Sequence, residues 1–262
     1  MPSNLDLIFV NGAWHSPEVW EPVTYALEEK HYSSIVPLLD FVNTKDPLKS
    51  IASSVTQLQH IIADRTSKGC DVVLVTHSFG GAVGCSAVKG FTAKDSSRLS
   101  GAAGKLLGIV QLCAFMPPAN TSLHDIISRS PKEPFHHSDA DGWEVIDNGD
   151  PVDIFYNDLP PDVAQHWKDK LRKQPSGAFK DRENIYPGWA DVPVWYLLCK
   201  QDHAIPIQAQ EAMVAAAREA GATVVTETLD CSHSPLLSRV DETVAFIERA
   251  VDDFLYSSPP FQ

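Results

Sequence analysis

A chain of 262 residues, 44% hydrophobic and 21% charged, is long enough to bury a large core without disulfides or a structural metal, and this composition excludes disordered and fibrous classes. A formal net charge of −13 argues against nucleic acid as a partner, because phosphate binding needs a basic face. No apolar run reaches the length of a membrane span, so no membrane association is expected. The amino terminus lacks the basic start and apolar stretch of a secretory signal, and the terminal Ser-Ser-Pro-Pro-Phe-Gln matches no lipidation or organelle address.

Taken in chain order, short apolar runs alternate with segments of helical period. Residues 5–10 predict a strand and 17–30 a helix; residues 33–38 predict a strand and 47–66 a helix, with Ile51, Val55, Leu58 and Ile62 on one face. The continuous apolar run at 71–75 predicts a strand buried on both sides, followed by a helix over 79–89 and another buried strand over 105–115. Later come a strand at 192–199, a helix at 206–220, a strand at 223–229 and a helix at 241–255 carrying Val244, Ile247, Val251 and Phe254. Alternation of this kind implies crossover connections, hence an α/β fold with a mostly parallel central sheet flanked by helices. The rhythm breaks over 117–190, where the chain turns polar and aromatic with several prolines. So long a stretch is too much for a plain loop and reads as a cap inserted into a single domain whose core is 1–116 and 191–262.

The five cysteines, Cys70, Cys85, Cys113, Cys199 and Cys231, are odd in number and lack paired ligand spacing. They read as reduced core thiols of a cytoplasmic protein, with no metal and no cofactor implied.

The strongest local signal is Thr76-His77-Ser78-Phe79-Gly80-Gly81, where a strand ends abruptly and a helix begins. That is the context of a nucleophile elbow, in which a sharp turn presents the serine oxygen above the sheet. A serine hydroxyl needs a base to take its proton, and the base needs an acid to fix its tautomer. Among ten histidines, His233 follows the last predicted strand, at the same sheet end as the elbow. Asp202, in the exit loop of the strand before it, is the candidate acid, with Asp230 as its rival. His15, His77 and His203 read as bystanders rather than proton carriers. Backbone N–H groups of Phe79 and of Ala13, in the Asn11-Gly12-Ala13-Trp14-His15 loop after the first strand, are the candidate oxyanion hole.

With these pieces in place the chain resembles the α/β-hydrolase superfamily, in the branch of small methylesterases and hydroxynitrile lyases. The marks are Asn-Gly-Ala-Trp-His-Ser-Pro-Glu-Val-Trp near the start, the elbow, Phe155-Tyr156-Asn157-Asp158 in the cap, Asp202-His-Ala-Ile-Pro206, and Ser232-His-Ser-Pro-Leu-Leu-Ser238. Two positions depart from the pattern: Asn11 stands where the family has histidine, and Thr76 where it has glycine. Lyases of this branch resemble one another in a threonine after the first-loop histidine and a lysine after the catalytic histidine; Gly12 and Ser234 occupy those places here. The resemblance therefore implies an esterase-like serine hydrolase acting on a small carboxylic ester or lactone. A non-hydrolytic lyase, cyclase or carbon–carbon bond-cleaving enzyme, or a slow-turnover receptor, is the alternative. Aromatics of the cap and first loop, Trp14, Phe155, Tyr156 and Trp167 among them, are candidates to line a pocket for an apolar or aromatic small-molecule ester. The oligomeric state is not legible in the sequence.

Overall fold

The computed structural model describes residues 4–92, 104–130 and 133–256; the two termini that bear on signals and addresses lie largely outside this range. The elements are β1 (Leu5–Val10), α1 (Glu21–Glu29), β2 (Ser33–Ile35), α2 (Ala52–Ser67), β3 (Asp71–His77), α3 (Gly80–Ala87) and β4 (Leu106–Leu112). A long excursion follows with α4 (Leu123–Ile127), β5 (His136–Ser138), β6 (Trp143–Ile146), α5 (Pro151–Tyr156), α6 (Pro161–Asp169), β7 (Gln174–Pro175) and α7 (Ser176–Lys180). The chain then returns through β8 (Val194–Cys199), α8 (Ile207–Glu219), β9 (Val224–Leu229), α9 (Pro235–Ser238) and α10 (Val240–Tyr256).

The main sheet has six strands in the order β2-β1-β3-β4-β8-β9, every neighbouring pair parallel. Successive residues of a strand point to opposite faces, and here both faces are covered. Leu7 and Phe9 of β1 and Val73 and Val75 of β3 pack with Val23 and Leu27 of α1 and Ile247 and Val251 of α10. Ile8, Val10 and Leu74 pack on the other side with Leu58 and Ile62 of α2, Val83 of α3 and Val214 of α8. This is why those strands read as unbroken apolar runs. The strand order reverses between β1 and β3, the place where parallel sheets leave a crevice at their carboxyl ends.

Among the predicted elements that are shorter than expected, the second strand and the second helix have clear local causes. The second strand stops at Ile35, two residues before Pro37, which has no N–H for a ladder. The helix expected from residue 47 starts at Ala52, because the chain before it forms a turn: Asp46 Oδ1 accepts from Leu48 N (2.9 Å), and the Pro47 carbonyl accepts from Gly177 N (3.1 Å). The excursion also holds a three-stranded antiparallel sheet, β5-β6-β7, that the sequence does not announce. Strands of two to four residues are too short for period-2 alternation to register. No described helix is long and apolar enough to cross a membrane.

Candidate active site

Four loops gather at the carboxyl ends of the parallel strands. The turn after β3 carries Ser78 at φ 53°, a left-handed conformation costly for a residue with a β-carbon and characteristic of a strained elbow. Thr76, the departure from the family pattern, is accommodated by Gly84 one turn into α3; a β-carbon there would lie 2.5 Å from the Thr76 methyl. The loss of glycine on one side of the elbow is thus matched by glycine on the other. Gly12 serves a second close approach, since a β-carbon on it would sit 3.0 Å from both Ser78 Cβ and His77 Nδ1.

The structure brings Ser78, His233 and Asp202 together. His233 Nδ1–H donates to Asp202 Oδ2 at 2.7 Å; the carboxylate only accepts, so the tautomer follows, and Nε2 is left to receive the Ser78 hydroxyl at 2.9 Å. Asp202 is buried and satisfied on both oxygens, by Ala204 N (2.8 Å) and Ile205 N (2.7 Å) on Oδ1 and by Gln210 Nε2 (3.0 Å) on Oδ2 besides the imidazole. Its rival Asp230 is exposed and accepts from Gln201 instead. Ala13 and Phe79 both line the cavity beside Ser78.

The sequence's bystander histidines do more than fill space. His77 Nε2–H donates to the His233 carbonyl (2.7 Å), where the Cys113 thiol also donates (3.3 Å). His15 Nδ1–H donates to the Ala13 carbonyl (2.7 Å), so its Nε2 accepts from the Tyr156 hydroxyl (2.7 Å). Asn11 braces the same loop, donating to the carbonyls of Gly12 (3.0 Å) and His15 (2.5 Å). Burial pushes His15 down to about 4, with the His233 charge adding to the fall against the Ala13 hydrogen bond, and burial holds His77 well below its ordinary value; both rings are neutral. Cys113, Cys199 and Cys231 cluster nearby as free thiols, and burial raises Cys113 to about 12, so it stays protonated.

The pocket expectations divide. Trp14 and Phe155 line the cavity, and the Phe155 ring lies 5.7 Å from that of His233. Tyr156 and Trp167 do not line it, which corrects the sequence expectation. Tyr156 is fully buried with its hydroxyl committed to His15, and Trp167, on α6, packs half-buried against the core with Lys170 over its ring at 5.0 Å. Missed by the sequence is the tie made by the end of α5 and the two residues after it. Tyr156 bonds the first loop, Asn157 Nδ2 donates to the Gln201 carbonyl in the acid loop (3.0 Å), and Asp158 Oδ2 accepts from Ser232 N beside His233 (3.0 Å).

Two groupings among the described residues bring metal-type donors within 4.8 Å of one another. In the first, His77 and His233 are engaged as above. In the second, His124 (3.1 Å) and His136 (2.7 Å) meet Glu144, which also accepts from Ser138 (2.6 Å). Burial pushes the Glu144 carboxyl up, but these three hydrogen bonds outweigh it and hold it well below the usual carboxylate range. The carboxylate is satisfied by its neighbours, and the trio buttresses Trp14, whose indole N–H donates to the Glu144 carbonyl (3.1 Å).

A parallel sheet reversing at β1/β3, with a strained serine at that point and a histidine and aspartate from later strand ends, is the arrangement of an α/β-hydrolase. Residues 7–246 match the Alpha/beta hydrolase family, and the chain belongs to it. It is 27% identical over 248 residues to the alpha/beta hydrolase nvfD of Aspergillus novofumigatus, covering 94% of this chain and 96% of that one. In fold it is similar to polyneuridine aldehyde esterase (TM-score 0.73, 16% identity, 95% of this chain and 100% of the other). It is also similar to a methylesterase from Arabidopsis (TM-score 0.70, 20% identity, 95% and 99%).

Proposed function

We propose that this protein is a serine hydrolase that cleaves carboxylic esters through an acyl-enzyme, as the esterase names of its structural neighbours suggest. The observation that carries the reading is the hydrogen-bonded line Ser78–His233–Asp202 opening onto a cavity. Ser78 Oγ attacks the carbonyl carbon while its proton passes to His233 Nε2, and Asp202 stabilises the imidazolium. The Ala13 and Phe79 N–H groups receive the negative charge that develops on the carbonyl oxygen. Collapse breaks the ester C–O bond, the alcohol leaves with the proton from His233, and water enters to hydrolyse the acyl-enzyme by the same sequence. On this reading the excursion is a cap over the cavity. Hydrolysis rather than cyanide chemistry is favoured because no lysine or arginine is among the described residues lining the cavity.

The test is hydrolysis of p-nitrophenyl acetate and butyrate, with covalent labelling of Ser78 by a fluorophosphonate. Replacing Ser78 with Ala is expected to lower kcat by about 10⁴-fold or more without changing the melting temperature by more than a few degrees. A Ser78→Ala protein that turns over at near the wild-type rate would falsify the assignment.

A further inference from the structure

The residues lining the cavity beside Ser78 range from fully buried to exposed. At its floor the rings of Trp14, Phe79, Phe155 and Phe179 pack on one another, with centroids 4.9 to 6.0 Å apart, and all four are buried. At its mouth Ile126, Ser130, Ala209 and Met213 are half-buried, and Glu133 beyond them is exposed. The cavity itself is small, about 80 Å³. A wider hollow of about 760 Å³ starts where the cavity ends, and the four mouth residues line both. From there it follows α8 past Ala212, Ala216 and Ala220, which recur every four residues and so share one face, over roughly 16 Å of helix from Ala209. Met116 and Trp189 also wall it, and Arg129 is the one charged group among its described lining residues.

These features constrain what Ser78 can act on. A substrate with its carbonyl at Ser78 has room in the cavity for only a few atoms, and the aromatic floor blocks extension inward. Whatever is larger has to leave between α4 and α8, where the surface is apolar. We propose that the substrates are carboxylic esters with one elongated, uncharged hydrocarbon arm, which passes the Ile126–Met213 mouth and lies along the alanine face of α8. The inference rests on the serine-hydrolase reading above and narrows its substrate class. The alanines matter by being small: a longer side chain at 212 or 216 would occupy the path. A methylene moved fully out of water gains about fourfold in an equilibrium constant, and one laid in a groove open on one side gains about twofold.

The experiment compares p-nitrophenyl acetate with p-nitrophenyl octanoate, and in parallel ethyl acetate with octyl acetate, reading the long-to-short ratio of kcat/KM. Taking the ratio within each protein cancels differences in active fraction. In wild type the ratio is expected to exceed about tenfold in one series, which assigns the arm to the acyl or the alcohol side. Ala212→Asp and Ala216→Asp are expected to bring it close to one. Ala215→Asp, which puts the same charge on an exposed part of α8 outside the groove lining, is expected to retain it. A wild-type ratio near one in both series overturns the proposal, as does a ratio that survives both groove substitutions or is lost equally with Ala215→Asp. If wild type hydrolyses no ester and Ser78 takes no label, the hydrolase reading itself has failed. The groove is then judged by 1-octanol titrated against tryptophan fluorescence: saturable binding lost in Ala216→Asp supports it, and absence of binding overturns it.

Discussion

The strand-end loops and the excursion between β4 and β8 meet at one cavity but are held by different means. Ser78, Asp202 and His233 follow the ends of β3, β8 and β9, which belong to one continuously paired parallel sheet; β3 is buried on both faces, whereas β9 is a partly exposed edge strand. The excursion has short strands and short helices, and it holds to the loops by packing of Phe155 and Phe179 on Trp14 and Phe79 and by specific polar contacts. Tyr156 reaches His15, Asn157 the acid loop, Asp158 the histidine loop, and Arg172 N donates to the Trp14 carbonyl (2.7 Å). On the proposed mechanism the sheet supplies the reacting groups, while the excursion walls part of the cavity and adds side-chain ties to the first, acid and histidine loops.

The largest effect is expected from Asp202→Asn. On the proposed mechanism the carboxamide favours the wrong imidazole tautomer, and kcat is expected to fall about 10⁴-fold with little change in the melting temperature. A fall under tenfold would remove Asp202 from the mechanism. Next comes pH. His15 and His77 are neutral in the folded protein and their values lie below the ordinary 6.5, so as pH falls the unfolded chain takes up protons first. The stability they hold is whole above pH 6.5 and is lost as pH falls toward about 4, the folded value of His15, which alone accounts for about 3 kcal/mol across the window. Urea unfolding at pH 7, 6 and 5 should show uptake of about two protons per unfolding event near pH 5.5, and a flat profile would contradict the neutral assignment.

Smaller effects separate the elbow from the excursion. Gly84→Ala drives a β-carbon to within 2.5 Å of the Thr76 methyl and is expected to cost about 1–3 kcal/mol by denaturant titration. Adding Thr76→Gly should recover much of that loss; a strictly additive double variant would mean that the two positions do not compensate. Asp158→Ala removes the acceptor from Ser232 N and is expected to lower kcat about tenfold with KM nearly unchanged. Asp158→Asn keeps an acceptor oxygen and should restore kcat. If both variants behave as wild type in p-nitrophenyl butyrate hydrolysis, the excursion only covers the site and does not position it.

The order of strands and helices was legible in the sequence because strands buried on both faces need continuous apolar runs, and covering helices need an apolar stripe; both are local patterns. Ser78 was legible because an abrupt strand-to-helix turn constrains its immediate neighbours, and Asp202 and His233 because parallel strands bring their exit loops to one end. The tertiary structure alone decided that Trp14 and Phe155 face the cavity while Tyr156 and Trp167 do not, that His15 and His77 brace backbone, and that an apolar groove leaves the site along α8. Those facts depend on contacts between residues scores of positions apart, and such contacts impose no period on the chain. Side chains of one chemical type, such as the aromatics of the excursion, therefore look alike in sequence whether they line a cavity or hold a loop.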